Sequence, residues 1–251
     1  MSDQLRVGER VGRCLLNLPL AQSLPPAPMC GKIPTMAYQR INLDTWSRRP
    51  HFDLFDRMAH PWLDICCSVD ATTAWSICTA DGGPSFSAAS LFLAIGAVNS
   101  VEQLRMRIRD GKVIVHDHIH VGSTILRDDE TFGFGFITAS DHFHIFAEAH
   151  AAEFDRVRVQ RDELVDRDID DVIHFSVVPW LNFTAVGHPR DRNCFYSVPK
   201  VVIGKCHQQD SRWMLPVALS AHHGLVDGLH AARFFDHLQQ RLDQAATLLA
   251  S

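Results

Sequence analysis

The sequence predicts an α/β fold, a two-layer sandwich in which helices pack on one mixed β-sheet. Three observations carry this. Strand-like segments recur along the chain, at residues 62–69, 112–120, 131–138, 174–178, 200–205 and 213–221. Helical segments separate some of these but not all, so the strict alternation that gives a doubly wound sheet is missing. Residues 85–98 (SFSAASLFLAIGAV) are apolar nearly all round, which asks for a helix buried on every side.

Each element has its own warrant. Residues 48–59 start a helix with Pro50 near the first turn, where its missing N–H costs little, and Phe52, Phe55 and Met58 then recur at helical spacing. Residues 112–120 (KVIVHDHIH) alternate after a turn at Asp110-Gly111, the usual form of a hairpin strand. Residues 131–138 (TFGFGFIT) alternate too, with Phe132, Phe134 and Phe136 on one face; core packing and a substrate wall both suit that face. Residues 143–157 have helical spacing. Ala231, Phe234, Phe235, Leu238, Leu242, Ala245 and Leu249 then mark one long amphipathic helix.

Composition narrows the class. Hydrophobic residues make up 46% and charged residues 21% of 251 residues, as in ordinary globular domains, which excludes a disordered or collagen-like chain. There is no apolar run of membrane-spanning length. Net charge is −5 with no long Lys/Arg run, so neither nucleic acid nor an anionic membrane surface is expected as a partner. Seven cysteines without a C-x-x-C indicate reduced, mostly buried thiols and a cytoplasmic protein. Of the adjacent Cys66 and Cys67, one is expected in the core and the other on a pocket wall. Residues 1–35 carry Arg6, Arg10 and Arg13, a short apolar run broken by Asn17 and Pro19, and then Pro25, Pro26 and Pro28. They lack a small-x-small cleavage pattern and are expected to be a disordered extension rather than an export signal. Residues 36–251 show no linker or repeat and are expected to form one domain.

The chain holds 15 histidines. His116, His118 and His120 alternate on one expected strand; His142 and His144 also alternate and are read the same way. A zinc site needs three or four ligands closing a tetrahedron, and a half-exposed edge face explains the alternation better. The chemistry concentrates at residues 220–230, SAHHGLVDGLH. A strand ends there in His222-His223, and Asp227-Gly228 opens the last helix. Asp227 can cap that helix, Gly228 permits close backbone approach, and a neutral imidazole is a natural general base. His222 should point to the opposite face of its strand. His230 is given no chemistry.

Three motifs accompany this one: W-x-R-R-x-H-F at residues 46–52, S-x-x-P-W at residues 176–180, and VNSVEQLRMRI at residues 98–108 followed by DGKVIVHD. Together with HHGLVDGLH they resemble the chloramphenicol acetyltransferase family in order and spacing, from about Tyr38 to Leu242. The H-x-x-x-D-G element alone is shared with other CoA-dependent acyltransferases, such as dihydrolipoamide acyltransferase cores. The resemblance implies that family's fold and acetyl-CoA-dependent O-acetylation of chloramphenicol, which inactivates the antibiotic. It implies His223 as general base and Ser176 as donor to the oxyanion. It implies a structural ion pair between Arg48 and Asp227. Phe55, Phe132 and His188 fall on the substrate pocket, and Lys205 and Trp180 on the CoA surface. It also implies a homotrimer with sites between subunits, and no metal. The sequence departs from the family where a lysine becomes Ser85, a threonine becomes Val202, an aromatic residue becomes Cys206, and apolar pocket positions become His188 and Lys200. Those departures leave two further functions open, a related acyltransferase with another hydroxyl or amine acceptor, or a catalytically silent binding protein.

Overall fold

The computed structural model describes residues 37–160, 169–189 and 197–251; the expectation for residues 1–35 lies outside them. In chain order the elements are β1 (Tyr38–Arg40), α1 (Arg49–Phe55), β2 (Trp62–Asp70), α2 (Thr72–Thr79), α3 (Phe86–Asn99), a 3₁₀ turn (Glu102–Arg105), β3 (Met106–Arg109), β4 (Lys112–His116), β5 (His120–Leu126), β6 (Phe132–Ile137), α4 (Phe143–Val159), β7 (Val172–Val177), β8 (Lys200–Ile203), β9 (His207–Gln209), β10 (Arg212–His222), α5 (Gly228–Asp243) and α6 (Ala245–Leu248).

The main sheet runs β2-β10-β8-β7-β5-β6, with β9 paired to the start of β10. β7 is parallel to β5 and β8, and the other neighbours are antiparallel. The sheet is therefore mixed, as the sequence predicts. Period two sorts its residues. Ile173 and Phe175, Val201 and Ile203, and Val217 and Leu219 enter one core with Leu91, Ile95, Phe146 and Phe234 of the helices. His174 and Ser176, Lys200 and Val202 alternate with those core residues and face the other way.

α3 is buried without a break from Ala88 to Ile95, which its all-round apolar sequence requires. Ser85 caps it, accepting from the Ala88 N–H at 3.4 Å. A Cβ on Gly96 would lie 2.2 Å from the Arg241 guanidinium. The bare glycine lets α5 approach, and Arg241 donates to the Leu93 carbonyl at 3.1 Å.

Several expectations need correction. Residues 112–120 are two strands in two sheets. β4 belongs to a small sheet of order β1-β4-β3, whereas β5 lies in the main sheet. Between them Asn99 takes over the backbone of Ile119, donating to its carbonyl at 3.0 Å and accepting from its N–H at 2.8 Å. A side-chain amide thus holds the backbone just before β5. The alternating histidines do not share a face: His116 and His120 are buried and His118 is exposed. His142 precedes α4 as its N-cap and His144 lies in its first turn, in the helix expected from residue 143, so they form no edge face of a sheet. The last helix breaks at Gln244 and resumes as α6; nothing in the sequence marks that break. Cys67 is exposed, and neither Cys66 nor Cys67 joins the core. The Asp110-Gly111 turn forms as expected, both residues having positive φ.

The small sheet is tied to β7 through charge. Arg107 is completely buried. Its guanidinium donates to the carbonyls of Leu104, Met106, Asp170 and Val172 at 2.5–3.0 Å. Arg109 donates to the Asp170 carboxylate, which also contacts His116 Nε2 at 3.0 Å. Burial pushes the Asp170 carboxyl up, but hydrogen bonds from His116 and Arg109, and their charges, outweigh it and hold it well below the ordinary carboxylate range.

Two outcomes are expected. Arg107→Met leaves several buried carbonyls without a donor and should lower unfolding stability by at least about 3 kcal/mol in urea titration. A carboxyl with a depressed folded pKa stabilises the fold above its unfolded value of about 3.9, and that contribution fades as pH falls further. Stability should therefore drop below about pH 4, and Asp170→Asn should be less stable at neutral pH with a shallower acid limb.

Candidate active site

β10 ends at His222 and delivers His223 just past its end, beside the edge strand β2. β10 and β2 pair through His222 and Trp62, and the His223 N–H donates to the Pro61 carbonyl at 2.6 Å, one step beyond the ladder. The imidazole Nδ1 lies 3.1 Å from the Val226 carbonyl. A carbonyl only accepts, so Nδ1 carries the proton. In the neutral ring the lone pair is then on Nε2, and no hydrogen-bond partner lies against Nε2 among the described residues. Phe55 of α1 stacks on the ring, centroids 3.9 Å apart and nearly parallel.

The turn that follows is held by charge and capping. Asp227 caps α5, its Oδ1 accepting from the N–H groups of Leu229 and His230 at 3.1 and 3.4 Å. Its own N–H reaches His230 Nδ1 at 3.1 Å, completing a capping box. Burial lowers the basicity of His230 against the opposing charge of Asp227, so its ring is suited to accept. The other oxygen, Oδ2, takes a 2.5 Å hydrogen bond from Arg48 Nη1. Burial raises the Asp227 carboxyl, but that bond and the neighbouring charges bring it below its ordinary value. His222 faces away into packing, against Trp62 and the Gly224 N–H. Burial, helped by the neighbouring His223, lowers its pKa to about 4.

Ser176 lies elsewhere, on the face of the sheet turned away from the core. There the register builds a grid. One row runs Phe134, Thr124, Ser176, Val202; the next runs Phe136, Gly122, His174, Lys200. Ser176 Oγ and Thr124 Oγ1 are 3.4 Å apart. They sit in a cleft of about 490 Å³ that Phe132, Phe134, Trp180, His188 and Lys200 also line. Neither His223 nor Phe55 lines it. Ser176 is level with Ala218, two strands away. His223 lies five residues beyond Ala218, so at ordinary strand spacings His223 and Ser176 of one chain are about 19 Å apart.

The structure thus brings Arg48, Asp227, Phe55 and His223 together, and separately Ser176, Phe132, His188 and Trp180. Phe55 and Phe132 do not share a wall within one chain. Lys205 is exposed at the end of β8, where its N–H bonds to the Leu181 carbonyl at 2.7 Å. Cys206 is buried in the core, and burial raises its thiol to about 12. Sequence reasoning missed Thr124 and His174. His174 stands one period-two step from Ser176 and could have been found by parity, whereas Thr124 reaches Ser176 only through strand pairing. No group of three or more His, Cys, Asp or Glu able to hold a metal occurs among the described residues.

The family model described as Chloramphenicol acetyltransferase matches residues 36–239. The chain belongs to the chloramphenicol acetyltransferase family. Chloramphenicol acetyltransferase 3 of Escherichia coli is 26% identical over 208 residues, covering 82% of this chain and 97% of that one. Chloramphenicol acetyltransferase 2 of Escherichia coli is 28% identical over 214 residues, covering 83% and 98%. A solved chloramphenicol acetyltransferase superposes with a TM-score of 0.76 at 24% identity, over 82% of this chain and all of that one. A probable dihydrolipoamide acetyltransferase from Listeria monocytogenes shares the fold at a TM-score of 0.57 and 17% identity, over 78% of this chain and 89% of that one. The chain is an acetyltransferase by family, and its mixed sheet with packed helices is the family fold.

The cap and the buried histidine give two tests. Asparagine caps helices as well as aspartate does, whereas alanine does not. Asp227→Ala should therefore be about 1 kcal/mol less stable than Asp227→Asn by thermal or urea unfolding. His222 is neutral when folded and takes up a proton when unfolded, so it should cause stability to fall as pH drops from about 6.5 to 4. His222→Gln should flatten that part of the stability curve.

Proposed function

We propose that this protein transfers the acetyl group of acetyl-CoA to a hydroxyl of a small aromatic acceptor, with chloramphenicol as the first candidate. The observation that carries this is the contact of His223 Nδ1 with the Val226 carbonyl, which leaves Nε2 as the acceptor of the neutral ring. With Nδ1–H bonded to the Val226 carbonyl, Nε2 is ready to take a hydroxyl proton. As it does so, the acceptor oxygen forms a bond to the thioester carbonyl carbon. The resulting oxyanion receives a hydrogen bond from Ser176. Collapse breaks the carbon–sulfur bond, and the proton passes from Nε2 to the departing CoA thiolate. Arg48 and Asp227 hold the turn between Val226 and α5 and so keep the ring in place. They move no proton.

The wide separation of His223 and Ser176 in one chain supports a second part of the proposal. The enzyme works as a homotrimer in which His223 of one copy faces the Ser176 cleft of the next. Phe55 then arrives with the base, while Phe132, Trp180 and His188 belong to the receiving copy. Exposed Trp180, Leu181, Phe132 and Phe134 give that interface an apolar surface to bury. Lys205, exposed beside Leu181, is assigned to the CoA side. The resident chemistry needs no metal in this scheme. No helix among the described residues is long and apolar enough to cross a membrane, and the described cysteines are free thiols; both fit work in the cytoplasm.

The test is release of CoA thiol from acetyl-CoA with and without chloramphenicol. Release should depend on the drug. His223→Ala should lose about 10²–10⁴-fold in kcat/KM, and Ser176→Ala about 10²–10³-fold. Drug-dependent release undiminished in His223→Ala would remove the assigned base.

A further inference from the structure

Ser176 has one hydroxyl proton, and the proposed chemistry needs it pointed at the oxyanion. A serine side chain has several staggered rotamers and an O–H that turns to suit its partners, so a neighbour must choose among them. The sheet places one candidate beside it. In the parallel register of β5 and β7, Gly122 meets His174 and Ser123 meets Phe175, and the next step brings Thr124 level with Ser176. The two hydroxyl oxygens are 3.4 Å apart, and among the described residues neither has another hydrogen-bond partner. Both residues are half-buried in the wall of the cleft. The rest of their row is apolar. Phe134 lies opposite Thr124 on β6, and Val202 lies opposite Ser176 on β8. Ser123, the other hydroxyl nearby on β5, is buried and donates instead to the Thr124 carbonyl at 3.3 Å.

We infer that Thr124 is a positioning residue for the oxyanion donor: its hydroxyl donates to Ser176 Oγ and leaves the Ser176 proton for the cleft. This rests on the reading of Ser176 as that donor. The direction follows from counting protons. Two facing hydroxyls carry one proton each, and only one of these lies between the oxygens. If Ser176 gave its own, that proton would point along the sheet at Thr124 and away from the oxyanion. When Thr124 gives its proton, the Ser176 oxygen accepts and its O–H is left to turn to the oxyanion. Threonine suits this part. Its branched Cβ restricts χ1, and β5 is held by β6 on one side and β7 on the other. A hydroxyl that accepts one hydrogen bond is polarised and donates the next more strongly. Catalytic hydrogen bonds of this length tighten as charge develops in the transition state. No proton leaves either oxygen, so the pair adds no step to the transfer.

Thr124→Val removes the hydroxyl at nearly constant shape and Thr124→Ser keeps it. Circular dichroism reports the fold, and Thr124→Ala takes the place of the valine variant if that one does not fold. With acetyl-CoA and chloramphenicol, Thr124→Val should lose about three- to tenfold in kcat while KM stays near the wild-type value. Thr124→Ser should recover most of that loss. In the Ser176→Ala background the valine change should cost nothing further. An unchanged kcat in Thr124→Val, a serine variant as slow as the valine variant, or the same loss with and without Ser176 would overturn the inference. Crystal structures of wild type and Thr124→Val read the positioning without an acceptor. Ser176 Oγ should hold one rotamer in the wild type and spread over more than one in the variant; a single rotamer common to both would overturn the inference. Failure of the underlying reading looks different. Ser176→Ala that turns over like wild type removes the oxyanion donor itself. Slow Ser176→Ala beside an unimpaired Thr124→Val leaves the donor standing and removes only the part given to Thr124. Wild-type protein that releases no thiol with the drug removes chloramphenicol as acceptor, and the rotamer comparison then decides the positioning alone.

Discussion

Ser176 lies opposite Val202, and Val202 lies opposite Ala218. That register governs almost everything else in the molecule. It turns Phe175, Val201 and Val217 into the core and leaves Ser176, Thr124, His174 and Lys200 on the other face. A slip of one residue would exchange the two sets, burying a serine, a histidine and a lysine under the helices. The apolar mass of α3, buried along nearly its whole length, makes such a slip prohibitive. The same register separates His223 from Ser176 along the sheet. The packing that gives the fold its stability therefore also decides that one chain cannot assemble both halves of the proposed chemistry.

Charge is used sparingly and always with partners. Arg107 is fully buried, yet its donors are met by backbone carbonyls. Asp170 is stabilised by Arg109 and His116. Asp227 combines a helix cap with an ion pair to Arg48. Taking a charge from water is offset only where hydrogen bonds satisfy it, and each of these groups ties a segment distant in sequence. Arg107 and Asp170 join the small sheet to the start of β7. Arg48 and Asp227 join α1 to α5 and fix the turn that presents His223. Phe55 leaves the end of α1 to stack on His223, so the ion pair holds the turn of His223 and its aromatic cover together.

Much of this was legible in the sequence because it is written locally. The all-round apolarity of residues 85–98, the alternation of the later strands and the HHGLVDGLH run each specify their element without long-range information. The split of residues 112–120 was not legible, because the period-two pattern continues across it. What holds the backbone just before β5 is the side chain of Asn99, the last residue of α3. Arg107 was missed for a similar reason: a charged residue in a strand looks exposed until the carbonyls around it are placed. At the site, Asp227, Arg48 and His223 were legible through their motifs. Thr124 and the His174–Lys200 pair depend on which strands become neighbours. Phe55 and Phe132 were expected in one pocket because motif spacing along the chain does not say how far apart strand order sets them.

The central claim is that base and oxyanion donor act across a boundary between copies. His223→Ala and Ser176→Ala, each carrying a different affinity tag, can be unfolded together, refolded as a mixture and purified through both tags. Each variant alone should show almost no acceptor-dependent thiol release. The mixed oligomer should recover a clear fraction of wild-type activity, because some interfaces then pair an intact His223 with an intact Ser176. A mixed oligomer that forms and stays as inactive as its parents would contradict the account.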